Sequence, residues 1–169
     1  PSDGVSTYIS NILEDEKGAV WFSLIMGEGI LKFNHAEQSF VQMKVNPNNV
    51  TEENWVNTIM RDSKNVLWFG TDNGVFTYSG GNFISFNQLE VDSPFVVNTL
   101  YEDRFHTMWI GTNKGLFRFN GKEIQDLSPP GIPVLEYNAF AEDSRGNFWI
   151  ACENFGLICY KNSESLTQE

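Results

Sequence analysis

Short apolar runs recur along the whole chain, and each is broken by an acidic turn or by a turn carrying glycine. The segments "VNTIMRD" (Val56–Asp62) and "VNTLYED" (Val97–Asp103) alternate or run apolar. They are rich in β-branched residues and Leu, which suits a strand. An aspartate then opens a turn, where its side chain can accept backbone N–H groups. "LWFGT" (Leu67–Thr71) and "MWIGT" (Met108–Thr112) predict a second strand, in which Trp supplies a large area for burial. "DNG", "NKG" and "NFG" follow as hairpin turns in which Gly supplies a positive φ angle. A third strand, "VFTY" or "LFRF", comes next, and "NFISF" (Asn82–Phe86) or "EIQDL" (Glu123–Leu127) supplies a fourth.

The pattern is a repeat. Trp21, Trp68, Trp109 and Trp149 are spaced by 47, 41 and 40 residues. Six positions before each stands an aspartate: Asp15, Asp62, Asp103 and Asp143. Four or five positions before each aspartate stands Asn11, Asn57, Asn98 or Asn138. Six to eight positions after each Trp comes Gly29, Gly74, Gly115 or Gly156. Four short antiparallel strands per unit of about forty residues are the signature of a β-propeller blade. The chain therefore reads as all-β, one repeat domain over 1–169, with units at about 5–50, 51–92, 93–133 and 134–169.

Two segments favour helix locally. "TEENWVNTIMRD" has a cap at Thr51, and "VLEYNAFAED" is made of good helix formers. Both align with "VSTYISNILED" and "SPFVVNTLYED", whose β-branched character makes strands of all four. The first unit departs most from the pattern. Its turn "LIMGEG" is longer, Leu24 stands where Thr71 and Thr112 do, and "VNPNNVTEEN" lengthens the way to the second unit. In the fourth, Ala151 and Cys152 replace the Gly-Thr pair. Terminal repeats often differ in this way; a loop with a function of its own is the other reading of unit one.

Written as "D-x-x-x-x-x-W-I-G-T-x-x-G-L-F-x-F", the unit resembles the two-component regulator propeller repeat. "WFGTDNGVFTY" and "WIGTNKGLFRF" match nearly throughout, the fourth unit well and the first in part. In that family such repeats build large propellers in the periplasmic sensor regions of hybrid histidine kinases, common in Bacteroidetes. Many of those sensors respond to breakdown products of complex polysaccharides. The resemblance thus implies an extracytoplasmic, non-catalytic sensory module with an oligosaccharide ligand and a downstream kinase in the full-length receptor. Family sensor regions carry many more repeats, then a further β-domain, a membrane span and a kinase, and none of these stands in the 169 residues. A fragment is expected, or a chain that associates with further blades or a second copy of itself through its end units. Closure of four units on themselves is the alternative.

Composition agrees with a packed globular domain: 41% of residues are apolar and 14% aromatic, with fourteen Phe and five Trp. No apolar run approaches the length of a membrane span. A net charge of -11, with eleven basic residues scattered singly, argues against nucleic acid. It reads as a solvated surface rather than a metal site, because no carboxylate cluster has ligand spacing. Cys152 and Cys159 complete no zinc set. Placed on the two strands of one hairpin, both are expected on the same face as small buried residues, with a geometry poor for a disulfide.

No catalytic constellation, cofactor motif or metal set emerges. Some propellers of similar repeat type are lyases, but His35 and His106 stand in separate turns and assemble no comparable site. Carboxylate pairs such as Glu14–Asp15 and Glu142–Asp143 recur with the repeat and read as turn residues. The candidate binding residues are Asn11, Asn57, Asn98 and Asn138 on the first, innermost strands, where amides offer sugar hydroxyls both donor and acceptor. Their competing role is to tie adjacent units together. Trp55, outside the repeat register, offers a ring that can stack on a sugar. An interaction propeller with no small ligand is the second function class.

Overall fold

The structure is a computed structural model and describes residues 8–24, 28–46, 55–86, 95–127, 136–153 and 155–163. Among the described residues the regular elements are fifteen strands in four antiparallel sheets. The first sheet is β1 (Ile9–Glu14), β2 (Val20–Leu24), β3 (Gly29–Asn34) and β4 (Ser39–Met43). The second is β5 (Val56–Arg61), β6 (Leu67–Thr71), β7 (Gly74–Ser79) and β8 (Asn82–Ser85). The third is β9 (Val97–Glu102), β10 (Met108–Thr112), β11 (Leu116–Phe119) and β12 (Ile124–Asp126). The fourth has three strands among the described residues, β13 (Tyr137–Glu142), β14 (Phe148–Cys152) and β15 (Gly156–Tyr160). Strands follow chain order within every sheet. The expectation of propeller blades holds, and both helix-prone segments form strands, β5 and β13. Most of the "VNPNNVTEEN" insertion, the middle of "LIMGEG" and the end of the C-terminal tail lie outside the described residues.

Each four-stranded sheet turns three times and the fourth sheet twice among the described residues. The aspartate turns and the outer hairpins lie at one end of the strands, and the glycine hairpins lie at the other. Gly74 and Gly156 reverse the chain at φ +96° and +87°, a region costly for residues with a Cβ. Thr71 and Thr112 brace two of these hairpins, each hydroxyl donating to the glycine carbonyl at 2.9 Å. Leu24, which replaces them in the first sheet, is buried in the core instead.

The apolar cores lie between sheets. Trp21 and Ile30 of the first sheet pack with Val56, Ile59, Leu67 and Phe69 of the second. Trp68 and Val75 of the second pack with Val97, Leu100, Met108 and Ile110 of the third. Trp109 and Leu116 of the third pack with Tyr137, Phe140, Phe148 and Ile150 of the fourth. Every sheet thus offers a leading face, built on its Trp, to the trailing face of the next. Burying 150–250 Å² of an aromatic ring contributes roughly 4–6 kcal/mol before conformational entropy is set against it. These contacts dominate the stability of the arc.

The inner strands approach closely, and Gly70 and Gly111 make this possible. A Cβ on Gly111 would lie 2.7 Å from Thr99 Cγ2 and 2.8 Å from Tyr137 Cβ, and one on Gly70 would lie 2.6 Å from Val97 Cγ1. The glycine of the "GT" pair is thus a spacing device between blades.

The cysteines depart from expectation. Cys152 pairs with Gly156 and Cys159 with Trp149, so an odd offset separates them and places them on opposite faces of the hairpin. Cys152 is buried, Cys159 is exposed, and both are free thiols. Gly156 is already paired with Cys152, so the expected turn closes one residue earlier and Cys159 takes the other face.

Gly111→Ala is expected to lower unfolding stability by about 1–3 kcal/mol, because the methyl meets backbone and Cβ atoms that cannot swing aside. Urea denaturation measures it; unchanged stability would show that the sheets do not approach as described.

Candidate functional site

Asp62 uses both carboxylate oxygens. Oδ1 accepts from the backbone N–H groups of Lys64 and Val66 at 2.9 and 2.8 Å, and Oδ2 accepts from Trp68 Nε1 at 2.8 Å. Asp103 repeats this with Phe105, Thr107 and Trp109, and Asp15 with Lys17, Ala19 and Trp21. Asp143 bonds Arg145, Asn147 and Trp149 and takes a further 2.7 Å bond from Asn147 Nδ2; its indole bond is 3.1 Å. The four Asp–Trp pairs are therefore committed to the scaffold.

Titration reflects these bonds. The Asn147 amide is the main influence holding Asp143 down at about 2, against the opposing effect of desolvation, and the Asn147 and Arg145 backbone N–H groups and the Trp149 indole assist. At Asp15 desolvation pushes upward, but the Trp21, Ala19 and Lys17 bonds and the Lys32 charge together leave it lowered.

The recurring asparagines do not converge on an open surface. Asn11 Nδ2 donates to the Asn57 carbonyl at 2.9 Å, across the first two sheets. Asn57 Nδ2 donates to Asp72 Oδ1 at 2.8 Å and to the Val97 carbonyl of the third sheet at 3.2 Å. Asn98 Nδ2 is buried without a hydrogen-bond partner among the described residues, and Asn138 is exposed on the last sheet. Trp55 is half-buried at the glycine-hairpin end, and its carbonyl accepts from the Asp72 N–H at 3.3 Å.

The sequence reading missed a second link between blades. At the aspartate-turn end, Glu102 takes the Ser63 N–H and hydroxyl at 2.6 and 2.7 Å, with His106 Nδ1 2.9 Å from the same hydroxyl. One unit on, Glu142 takes the Arg104 backbone N–H and Nε at 2.9 and 3.0 Å, while Nη2 donates to the Asp143 carbonyl. Glu142 is therefore a clasp to the preceding sheet rather than a turn residue. Its signal was present in the glutamate just before three of the four aspartates.

In the first pair of sheets Glu16 and Arg61 occupy the clasp positions. Beside them a groove of about 480 Å³ opens between the sheets, lined by Asp15, Glu16, Lys17, Lys32, Asn65 and Tyr78, with the Ser79–Gly81 hairpin as its outer wall. That volume falls within the range of small-ligand sites. Lys32 Nζ stands 4.6 Å from the Trp21 ring centroid and 5.7 Å from that of Tyr78, held in place as a cation over two rings. The groove thus joins an aromatic ring to charged and amide groups of both hydrogen-bonding senses. At the opposite end, Glu136 shares a hydrogen bond with Glu153, and that bond and their repulsion raise the Glu136 carboxyl. Among the described residues no three His, Cys, Asp or Glu side chains come together to hold a metal.

Comparison with known proteins agrees with the blades. The family model described as two component regulator propeller matches residues 52–73, 91–114 and 131–154. No curated protein sequence matches the chain. Two similar solved structures are extracellular domains of B. thetaiotaomicron proteins described as hybrid two-component systems. One is 22% identical with a TM-score of 0.77, over 95% of this chain and 22% of that one. The other is 19% identical with a TM-score of 0.70, over 96% and 22%. A virginiamycin B lyase of Staphylococcus aureus, solved with quinupristin, is 17% identical with a TM-score of 0.66, over 94% and 57%. The chain thus spans about a fifth of the length of the extracellular domains it matches, and the likeness establishes the β-propeller fold.

The Asp143 carboxyl lies below the unfolded value of about 4, so its contribution to stability is complete above that pH. It is lost as pH falls through about 2, with Asp15 acting in the same direction. Carboxyl NMR should place the Asp143 midpoint near 2 and move it upward in Asn147→Ala; a native midpoint near 4 would contradict the bonding described.

Proposed function

From the match of the two component regulator propeller model to three successive units, we propose that this chain is an extracytoplasmic, ligand-sensing segment of a two-component receptor whose kinase lies downstream. The observation that carries the reading is the family match at three successive units. Support comes from structures of extracellular domains of two-component systems that superpose over nearly the whole chain. An oligosaccharide is the ligand class we assign. The groove beside Tyr78 has an aromatic face with lysine, amide and carboxylate groups around it, the mixture that polyhydroxylated rings engage. The Asn ladder serves as the frame that holds the blades, and Trp55 offers a second ring at the opposite end.

The role is binding without catalysis. His106 is engaged with Ser63 and Glu102, and His35 lies against Phe33 on a separate hairpin. Cys152 is buried, and burial pushes its thiol up, which suppresses the nucleophilic thiolate. Lyase activity belongs to the Staphylococcus aureus neighbour.

The groove is also where the copies differ. Ser63–Glu102 and Arg104–Glu142 join the later blades, whereas the first pair stands open at that level. A ligand there would touch both sheets and bias their relative position.

Calorimetric titration with oligosaccharides released from complex polysaccharides should give saturable binding. Tyr78→Ala should weaken it about tenfold, equivalent to 1.4 kcal/mol, and Trp55→Ala should leave it unchanged. Equal loss in Trp55→Ala would move the site to the glycine-hairpin end, and the absence of heat with every saccharide would remove the ligand assignment.

A further inference from the structure

Lys32 is set apart from the other basic side chains. Most Lys and Arg residues are exposed, and Arg104 is held by Glu142. Lys32 is half-buried on β3, paired across the sheet with Trp21, and its ammonium lies over the Trp21 and Tyr78 rings. It forms no ion pair among the described residues, where the pairs are Arg104–Glu142 and His106–Glu102. An ammonium has three N–H donors, and ring faces attract its charge without accepting a conventional hydrogen bond. Withdrawing that charge from water costs free energy that a contacting anion offsets.

The carboxylates of the groove do not supply that anion. Both Asp15 oxygens are taken by the Lys17 and Ala19 N–H groups and the Trp21 indole. Lys32 acts on Asp15 only behind desolvation and those bonds, from beyond ion-pair distance. Glu16 is exposed and makes no ion pair. The facing wall, contributed by the second sheet, brings Asn65, Tyr78 and the Ser79–Gly81 hairpin but no acid. That hairpin is bare: a Cβ on Gly80 or Gly81 would meet nothing within 4 Å, which leaves room for a ligand against the backbone. Thr77 and Arg118 hold the place of Lys32 beside Trp68 and Trp109, and there Ser63–Glu102 and Arg104–Glu142 close the turn level. An unpaired cation and an open groove coincide in the first pair of sheets.

Resting on the saccharide reading of this groove, we propose that its ligand is an anionic saccharide, bearing a carboxylate or a sulfate on the ring, and that the Lys32 ammonium pairs with that group. Tyr78 and the bare hairpin take the ring, and the Asn65 amide meets its hydroxyls. Lysine acts as a point charge and demands no bidentate geometry, so carboxylate and sulfate both suit it. A neutral sugar would leave the ammonium without its counterion. The net charge of -11 repels anions at a distance. Exposed charges farther than about 8 Å are largely screened at physiological ionic strength, so the ammonium in contact decides the preference.

Calorimetric titration of the whole chain tests this with three probes: a galacturonate oligosaccharide, the same oligosaccharide after reduction of its carboxyl groups, and a sulfated galactan oligosaccharide. At least one charged probe should bind about tenfold more tightly than the reduced one, and which of them does separates carboxylate from sulfate. Added sodium chloride should weaken the charged probe more than the reduced one. Lys32→Met keeps an unbranched apolar stem against the rings and removes the charge; it should abolish the preference, and Lys32→Arg should retain it. Circular dichroism with thermal unfolding checks that both variants fold. If Lys32 only packs on its rings, Lys32→Met will lower thermal stability and leave the preference intact, which would overturn the proposal. Equal binding of the reduced and charged probes would overturn the anionic assignment and leave the saccharide reading standing. Silence with all three probes would overturn both.

Discussion

A single carboxylate per unit sets the geometry on which everything else rests. One oxygen of Asp62 closes the turn by accepting two backbone N–H groups, and the other accepts the Trp68 indole N–H. Burying the ring contributes several kcal/mol. An indole N–H left without a partner inside the core would give back about 1–3 kcal/mol of that. The aspartate removes that loss and aims the ring. Burial supplies the energy, and the hydrogen bond chooses the orientation in which it is gained.

That orientation places the ring in the gap before the next sheet, so cohesion in this protein lies between blades. Trp68 meets Phe86 of its own sheet and Phe119 of the next at centroid distances of 5.2 and 6.3 Å, and Trp109 meets Phe148 of the fourth sheet at 4.7 Å. Gly70 and Gly111 let the inner strands close up, and the Asn11 and Asn57 amides bridge them. Where a neighbouring blade is present the rings are buried, and the Asn11 and Asn57 amides are paired. The first pair of sheets varies the pattern differently, with Lys32 lying over Trp21 and an open groove where later pairs are clasped.

The blades were legible because their causes are local. Asp, Trp and Gly at nearly fixed spacing carry the turn, the buried ring and the hairpin within twenty residues or so, and β5 and β13 became strands against their helical propensity because the repeat demanded it. The clasp was not legible in the same way. Ser63 and Glu102 lie 39 positions apart, and each alone looks like a solvated turn residue; only sheet-to-sheet packing brings them together. Cys159 was misplaced because Gly156, read as part of the turn, already pairs with Cys152, and that moves Cys159 to the other face. The groove depends on what the first unit lacks relative to the others, and a repeat comparison weights what is shared. Asn98 illustrates the remaining gap: its position in the ladder was evident, its lack of a partner among the described residues was not.

The dependence of the blade on its carboxylate is open to direct measurement in the third unit, where both Asp103 and Trp109 are buried. A double-mutant cycle of Asp103→Ala and Trp109→Phe, followed by urea unfolding, isolates the bond between them. The account predicts a coupling energy of about 1–3 kcal/mol: once the indole is gone, the aspartate matters only to its turn. Strictly additive losses would mean that carboxylate and indole stabilise the fold independently, and would contradict it.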